Sequence, residues 1–193
     1  MERVEPFINE ATNHGWVIFE PILAPYSILM MLKAFNAERP FSPEYFLTLL
    51  SRVMRRYYLS DSNVDVMKEE WEKHEWSRMR WPIFLEAIDC YKRGAYFASI
   101  STTAPLVEGI LTYRGDMKPF SRTDKLKKRV REIDESGKLA EIVDRFFADT
   151  RSLDDFIEGS LNRHAILHGM DVKFGTQEKA LQVIAMLNAL VYI

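Results

Sequence analysis

An arginine and two histidines lie close together towards the end of the sequence, at Arg163, His164 and His168. The chain has only 4 histidines, so this short stretch holds half of them. An imidazole transfers protons near neutral pH, and a guanidinium stabilises the charge that develops on phosphorus during phosphodiester cleavage. These residue types therefore predict metal-free phosphodiester chemistry. The alternative is that two histidines fall together by chance on the surface of a helix.

The spacing of the three residues is compatible with two kinds of site. His164 and His168 are four positions apart and share one face of a helix, whereas Arg163 and His168 are separated by about 140° around its axis. Either Arg163 and His168 flank one groove with His164 between them, or the two histidines bind a metal. A hydrolytic site of the His-Glu-x-x-His type needs a glutamate where this chain has Ala165. The spacing therefore favours the groove over the metal site.

Two further residues are expected to support this motif. Asn162 directly precedes the arginine, and Glu108 lies in the apolar run 105–111. A buried carboxylate is costly unless a cation pairs with it, so we expect Glu108 to hold the arginine or a motif histidine. The alternative is that it faces solvent. Ile166 and Leu167 are expected to point into the core and to fix the helix.

A basic segment lies at 118–132, where seven lysines and arginines accompany Asp124 and Glu132. Basic residues at this density attract a phosphate backbone without sequence preference. Lys125, Lys128 and Arg129 are the predicted RNA contacts. The alternative is a solvated helix face, because the apolar residues of the segment already account for a buried side.

Three tryptophans, at Trp71, Trp76 and Trp81, alternate with basic residues. Aromatic and basic side chains together can form a stacking platform for single-stranded RNA. Steps of five residues do not form a helical stripe, however, so core packing is the favoured interpretation.

The amino-acid composition limits the classes of protein to which the chain can belong. The 193 residues are 47% hydrophobic and 28% charged, with a net charge of −2, which excludes a globally basic nucleic-acid binder. The single cysteine, Cys90, cannot form an internal disulfide. Prolines and Glu20 interrupt the most apolar stretch, 16–32, and no basic start resembling a signal peptide is present. We expect a soluble, cytoplasmic protein that makes no membrane contact.

The periodicity of apolar residues predicts an all-α fold. Ser42-Pro43-Glu44 forms a helix start, with an N-cap, a proline and an acid in the first turn. A stripe of Phe46, Leu50, Val53 and Tyr57 follows. A second helix is predicted from Pro82, which continues or restarts through 105–111. Further helices are predicted from Thr123, over 139–147 and from an N-cap at Thr176 to the terminus. We divide the chain into a helical N-terminal region, 1–80, of unknown role, and a functional domain, 81–193.

The region from about 82 to 193 resembles the HEPN superfamily of helical ribonucleases. The strings NRHAILHG at 162–169 and FGTQEKAL at 174–181 look like its C-terminal motif, in which four to six residues separate Arg from His. The strings PIFLEAIDCYKRGAY at 82–96 and LVEGIL at 106–111 look like its long helical hairpin.

The resemblance implies a HEPN-like helical bundle that acts as a homodimer, in which two copies of the motif form one composite site. It implies a metal-independent and cofactor-independent endoribonuclease that leaves 2′,3′-cyclic phosphate ends. Arg163 and His168 match the family positions, and His164 either assists or orients phosphate. Toxin–antitoxin or phage-defence roles, with an antitoxin or regulatory partner, follow by analogy. The alternative is a non-catalytic HEPN-like module for dimerisation or for binding RNA or nucleotides, and a metal-dependent hydrolase is third.

Overall fold

The fold is all-α, as predicted. The structure, a computed structural model, describes residues 4–19, 31, 33, 35, 42–114, 123–148 and 157–192. These ranges contain ten helices and no strand. The helices are α1 (Glu5–Asn13), α2 (Pro43–Leu59), α3 (Asp61–Glu72), α4 (Glu75–Arg78), α5 (Trp81–Lys92), α6 (Tyr96–Arg114), α7 (Thr123–Ile133), α8 (Lys138–Phe146), α9 (Arg163–Leu167) and α10 (Gln177–Tyr192).

The predicted helix starts are present at α2 and α10. The Ser42 hydroxyl accepts the backbone N–H of Tyr45 at 3.2 Å. The Thr176 hydroxyl accepts the N–H of Lys179 at 3.3 Å. Each bond satisfies one of the N–H groups that a helix leaves free in its first turn, which is why the local sequence is enough to fix these starts.

The buried face of α2 differs slightly from the predicted stripe. Phe46 and Leu50 are buried as expected, but Met54 and Tyr58 continue the face. Val53 and Tyr57 are only partly buried, at the edge of the core. A helix with 3.6 residues per turn accommodates either choice of the last two positions, and packing against the neighbouring helices decides between them.

Helices α5 and α6 form an antiparallel hairpin. The turn between them contains Gly94, whose φ of +77° lies in the left-handed region that glycine adopts without strain. The buried Ser99 hydroxyl donates to the carbonyl of Ala87 at 2.9 Å, which ties the two helices together. Pro105 lies inside α6, which continues past it to Arg114. Glu108 therefore lies on α6, the long second helix of the hairpin.

Helix α10 lies at the centre of the molecule. Every residue from 180 to 191 is buried. The helix contacts α2, α3, α5, α6 and α8. The indole N–H of Trp71 donates to the Asn188 side chain at 3.0 Å, so a buried polar group on α10 has a partner. One cluster of buried side chains runs from Phe7 to Val191 and includes residues from both regions of the predicted division.

Two of the three tryptophans belong to this core. Trp71 and Trp81 are buried, and the Trp71 ring stacks on Phe84 with centroids 4.4 Å apart. Trp76 is partly buried and stacks on the His74 ring at 5.2 Å. Core packing therefore accounts for Trp71 and Trp81. Over the described ranges, no helix has both the length and the apolar character needed to cross a bilayer.

Candidate functional site

Asn162 builds the start of the motif helix. Its side-chain oxygen accepts the N–H of Ala165 at 3.0 Å, and its amide donates to the carbonyl of Ala148 at 3.0 Å. The residue is only 4% exposed. Asn162 therefore caps α9 and anchors it to the end of α8, which makes it a positioning residue.

The motif helix is shorter than the sequence suggested. Helix α9 ends at Leu167, and Gly169 turns the chain with a φ of +68°. The N–H of His168 still bonds to the His164 carbonyl at 3.1 Å. His168 therefore lies at the helix end, one residue before a sharp turn, while keeping the helical spacing to His164.

Arg163 forms an ion pair with Glu108, and both side chains are 24% exposed. The sequence predicted that Glu108 would hold the arginine or a motif histidine, and in the structure it holds the arginine. The guanidinium also lies over the ring of Phe147, with its central carbon 5.6 Å from the ring centroid. Arg163 Nε is buried and has no hydrogen-bond partner among the described residues. The arginine is thus fixed between α6 and α8.

The two motif histidines are in contact with each other. Their ring centroids are 4.3 Å apart, with 46° between the ring planes, and both residues are exposed. Solvent and a ligand can therefore reach the imidazoles. Searching the part of the chain that the structure describes gives no group of three His, Cys, Asp or Glu side chains placed to hold a metal ion.

The expectation for Leu167 was wrong. Ile166 is buried as predicted, but Leu167 is 42% exposed. Ala165 and Ile166 already form the inward face of α9, and the next residue is rotated by about 100° from Ile166 and away from that face. An apolar side chain is therefore exposed next to His168.

The basic segment is partly neutralised by its own surroundings. Lys118 and Arg122 lie outside the described residues. On α7, Arg129 and Lys128 pair with Glu132 at 3.2 and 3.9 Å, and Lys125 is exposed. Arg131 of the same helix pairs with Asp144 on α8. The described ion pairs of α7 thus lie either within the helix or between α7 and α8.

A further arginine, from α6, lies close to α7. Arg114, at the end of α6, donates to the carbonyl of Leu190. Burial and the positive charge of Arg129 lower the pKa of Arg114 from its usual value. Positive charge is therefore concentrated where α6 and α7 meet, which keeps the prediction for Arg129 open.

Two residues that position the motif were not identified from the sequence. Phe147, the residue directly after α8, supports the Arg163 guanidinium. Asp171 is 1% exposed, and its carboxylate accepts the N–H groups of Gly159 and Lys173, each at 2.8 Å. It thereby joins the turn before α9 to the loop after it. The sequence carried no local signal for either role, because both depend on contacts between distant segments.

The sequence and the fold were compared with protein-family models, curated proteins and solved structures, and no match was found in any of the three.

Proposed function

We propose that the protein is a HEPN-type, metal-independent endoribonuclease that acts as a homodimer. One observation carries the proposal: an arginine held by Glu108 and Phe147 lies in the same short segment as two exposed, contacting imidazoles, His164 on α9 and His168 directly after it. A fixed cation and accessible proton-transfer groups are what phosphodiester cleavage without a metal requires.

In the proposed reaction the RNA 2′-oxygen attacks the adjacent phosphorus. An imidazole accepts the 2′-hydroxyl proton, and a second imidazole donates a proton to the departing 5′-oxygen. The phosphorus–oxygen bond to the 5′-oxygen breaks as the bond to the 2′-oxygen forms, which gives a 2′,3′-cyclic phosphate and a 5′-hydroxyl. The Arg163 guanidinium stabilises the charge that develops on the phosphoryl oxygens. We assign His168 as the main proton-transfer residue, with His164 assisting.

The homodimer would complete a site that is sparse in one subunit. One arginine and two histidines supply few groups for binding an RNA strand, whereas two copies double them. Leu167 and Val172, on either side of Gly169, are 42% and 64% exposed, and a partner subunit would cover this apolar surface. A toxin or phage-defence role, with an antitoxin as partner, has only the family resemblance in its favour.

We expect the two motifs of the dimer to lie within about 15 Å of each other, close enough to share one phosphodiester. Analytical ultracentrifugation should give a dimer at micromolar concentration, and Leu167→Glu should shift it towards monomer. Val66→Glu, at an exposed apolar position on α3, is the control. A wild-type protein that stays monomeric contradicts this arrangement.

The second candidate is a non-catalytic HEPN-like module that binds RNA or nucleotides. The observation in its favour is the Arg163–Glu108 pair, because a carboxylate on the guanidinium competes with phosphate for the same donors. Such a protein would use the motif for dimerisation or weak binding and would not turn over RNA.

Incubation of the purified protein with mixed RNA in excess EDTA separates these candidates. Cyclic phosphate ends with wild-type protein, and their loss in His168→Ala, are the results expected of the endoribonuclease. His74→Ala is the control, since the His74 ring stacks on Trp76 and not on a motif histidine. Binding without cleavage supports the module, and cleavage that EDTA abolishes supports a metal-dependent hydrolase.

A further inference from the structure

A cleft of about 260 Å³ lies between the end of α1, helices α8 and α10, and the turn before α9. Its apolar wall comprises Ile142, Phe146, Leu161, Val183 and Met186. Polar groups from Ser160 and Gln182 also line it. An apolar cavity with a few convergent polar groups is the usual form of a small-molecule site.

Two cations at this cleft have no carboxylate partner in the described ranges. Arg145 donates to the carbonyls of Thr12, Asn13 and Glu141, at 2.7, 3.2 and 3.4 Å, and these neutral acceptors leave its charge uncompensated. Lys179 forms no ion pair with a described residue. The neighbouring Lys173, in contrast, pairs with Glu158 at 2.6 Å. The cleft therefore offers a positive charge on two sides.

The Lys179 ammonium lies close to the backbone of Gly159. A Cβ atom on Gly159 would lie 2.8 Å from the Lys179 ammonium nitrogen, so a larger residue there would displace the end of the lysine side chain. Asp171 fixes the same turn by accepting the Gly159 N–H. The remaining titratable group of the cleft, His14, is paired with Glu10 at 3.2 Å. Arg145 and Lys179 are thus the groups available to an anion.

The cleft also contains a strained residue. Leu161 has a φ of +60°, a left-handed conformation that is unfavourable for a branched side chain. Such conformations persist where the surrounding structure holds them, commonly at ligand sites. Leu161 is followed directly by Asn162, the cap of α9. On the other wall, Phe146 touches Phe147, with ring centroids 5.2 Å apart.

We propose that this cleft binds a small organic anion that has a carboxylate or phosphate group on an apolar body. The anionic group would lie between Arg145 and Lys179, where charge-assisted hydrogen bonds are available. The apolar body would pack on Phe146 and Leu161. The proposal does not depend on the ribonuclease activity. If both hold, the ligand contacts the residues adjacent to Asn162 and Phe147, and its occupancy acts on the motif through them.

Isothermal titration calorimetry with three naphthyl probes tests this site. The probes are 1-naphthylacetate, 1-naphthyl phosphate and the neutral 2-(1-naphthyl)ethanol. Both anions should bind one equivalent, and the alcohol should bind about tenfold more weakly or worse, since it lacks the charge-assisted bonds. The tighter of the two anions identifies the preferred head group.

The variants assign the binding to this cleft. Lys179→Gln should weaken binding of the anions about tenfold, and Lys179→Arg should retain most of it. Lys173→Gln is the matched control and should bind like the wild type. Ser160→Asp, at an exposed position of the turn, adds a negative charge to the cleft and should weaken binding of the anions without affecting folding.

No saturable binding of either anion up to about 5 mM overturns the proposal. So does equal binding by the Lys179→Gln and Lys173→Gln proteins, or equal affinity for the alcohol.

Discussion

His164 lies within α9, whereas His168 follows the last residue of that helix. We expect the removal of each histidine to have a different effect on RNA cleavage. His168→Ala should lower the rate of single-turnover RNA cleavage by ~10²–10⁴ and leave RNA affinity nearly unchanged, because proton transfer is lost while the cation remains. His164→Ala should be milder. At a metal site the two losses would be comparably damaging, since both imidazoles would be ligands. Wild-type rates in the His168→Ala protein would refute the assignment.

The carboxylate that holds the motif arginine also repels a phosphate. Glu108→Gln removes that negative charge, so we expect RNA to bind up to about tenfold more tightly. The same change releases the guanidinium from its fixed position, so turnover should fall. Fluorescence anisotropy with a short labelled RNA measures the first effect, and single-turnover cleavage measures the second. Glu86→Gln, which breaks the exposed pair with Arg93 on α5, is the control. Weaker RNA binding by the Glu108→Gln protein would contradict this role.

Helix α7 is predicted to guide RNA to the motif by its charge. Replacing Lys125, Lys128 and Arg129 with glutamine should weaken RNA binding and flatten its dependence on salt, by up to about one slope unit for each phosphate that is no longer neutralised. The combined change should be less than three units, because Lys128 and Arg129 share Glu132. Anisotropy titrations at several salt concentrations measure the slope. Lys68→Gln with Lys73→Gln, both on or next to α3 and paired with glutamates, is the control. An unchanged slope would show that α7 is a solvated surface that does not contact RNA.

At the scale of elements, short sequence patterns correctly predicted the helix starts that hydrogen bonds within one turn determine. The capped start at Ser42 and the start at Thr176 need only side chains within the same turn, so the sequence specifies them. That Glu108 would pair with a cation of the motif was also predictable, because an apolar helix face makes an unpaired carboxylate costly, but the choice of Arg163 over a histidine was not. The support of the guanidinium by Phe147 and the strain at Leu161 were not predictable. Both arise when α8, α9 and α10 pack together, and no short window of sequence contains that information.

The whole molecule should lose stability at high pH through tyrosines whose hydroxyl oxygens are buried. Burial raises the pKa of Tyr58 well above its usual value, and it raises the pKa of Tyr91 and Tyr192 to about 12. Above pH ~10 the unfolded chain loses these protons while the folded chain keeps them, so the free energy of unfolding falls as pH rises. This contribution is fully present below pH ~10.

Urea denaturation between about pH 8 and pH 11 measures this slope, which approaches ~1.4 kcal/mol per pH unit for each fully protected tyrosine. Tyr58→Phe should reduce the slope, because its hydroxyl can no longer titrate. Tyr45→Phe, at an exposed position on α2, should leave the slope as in the wild type. Identical slopes in all three proteins would show that ionisation of Tyr58 does not oppose folding.

The central position of α10 sets the order in which the core can close during synthesis. It follows every other described helix along the chain, yet α2, α3, α5, α6 and α8 all pack against it. At ~5–20 residues per second, the interval between the end of α5 and the start of α10 is roughly 4–17 s. Throughout that time the earlier helices expose the apolar faces that α10 later covers. A nascent chain that stalls in this interval is therefore prone to aggregate and is a natural client for chaperones at the ribosome.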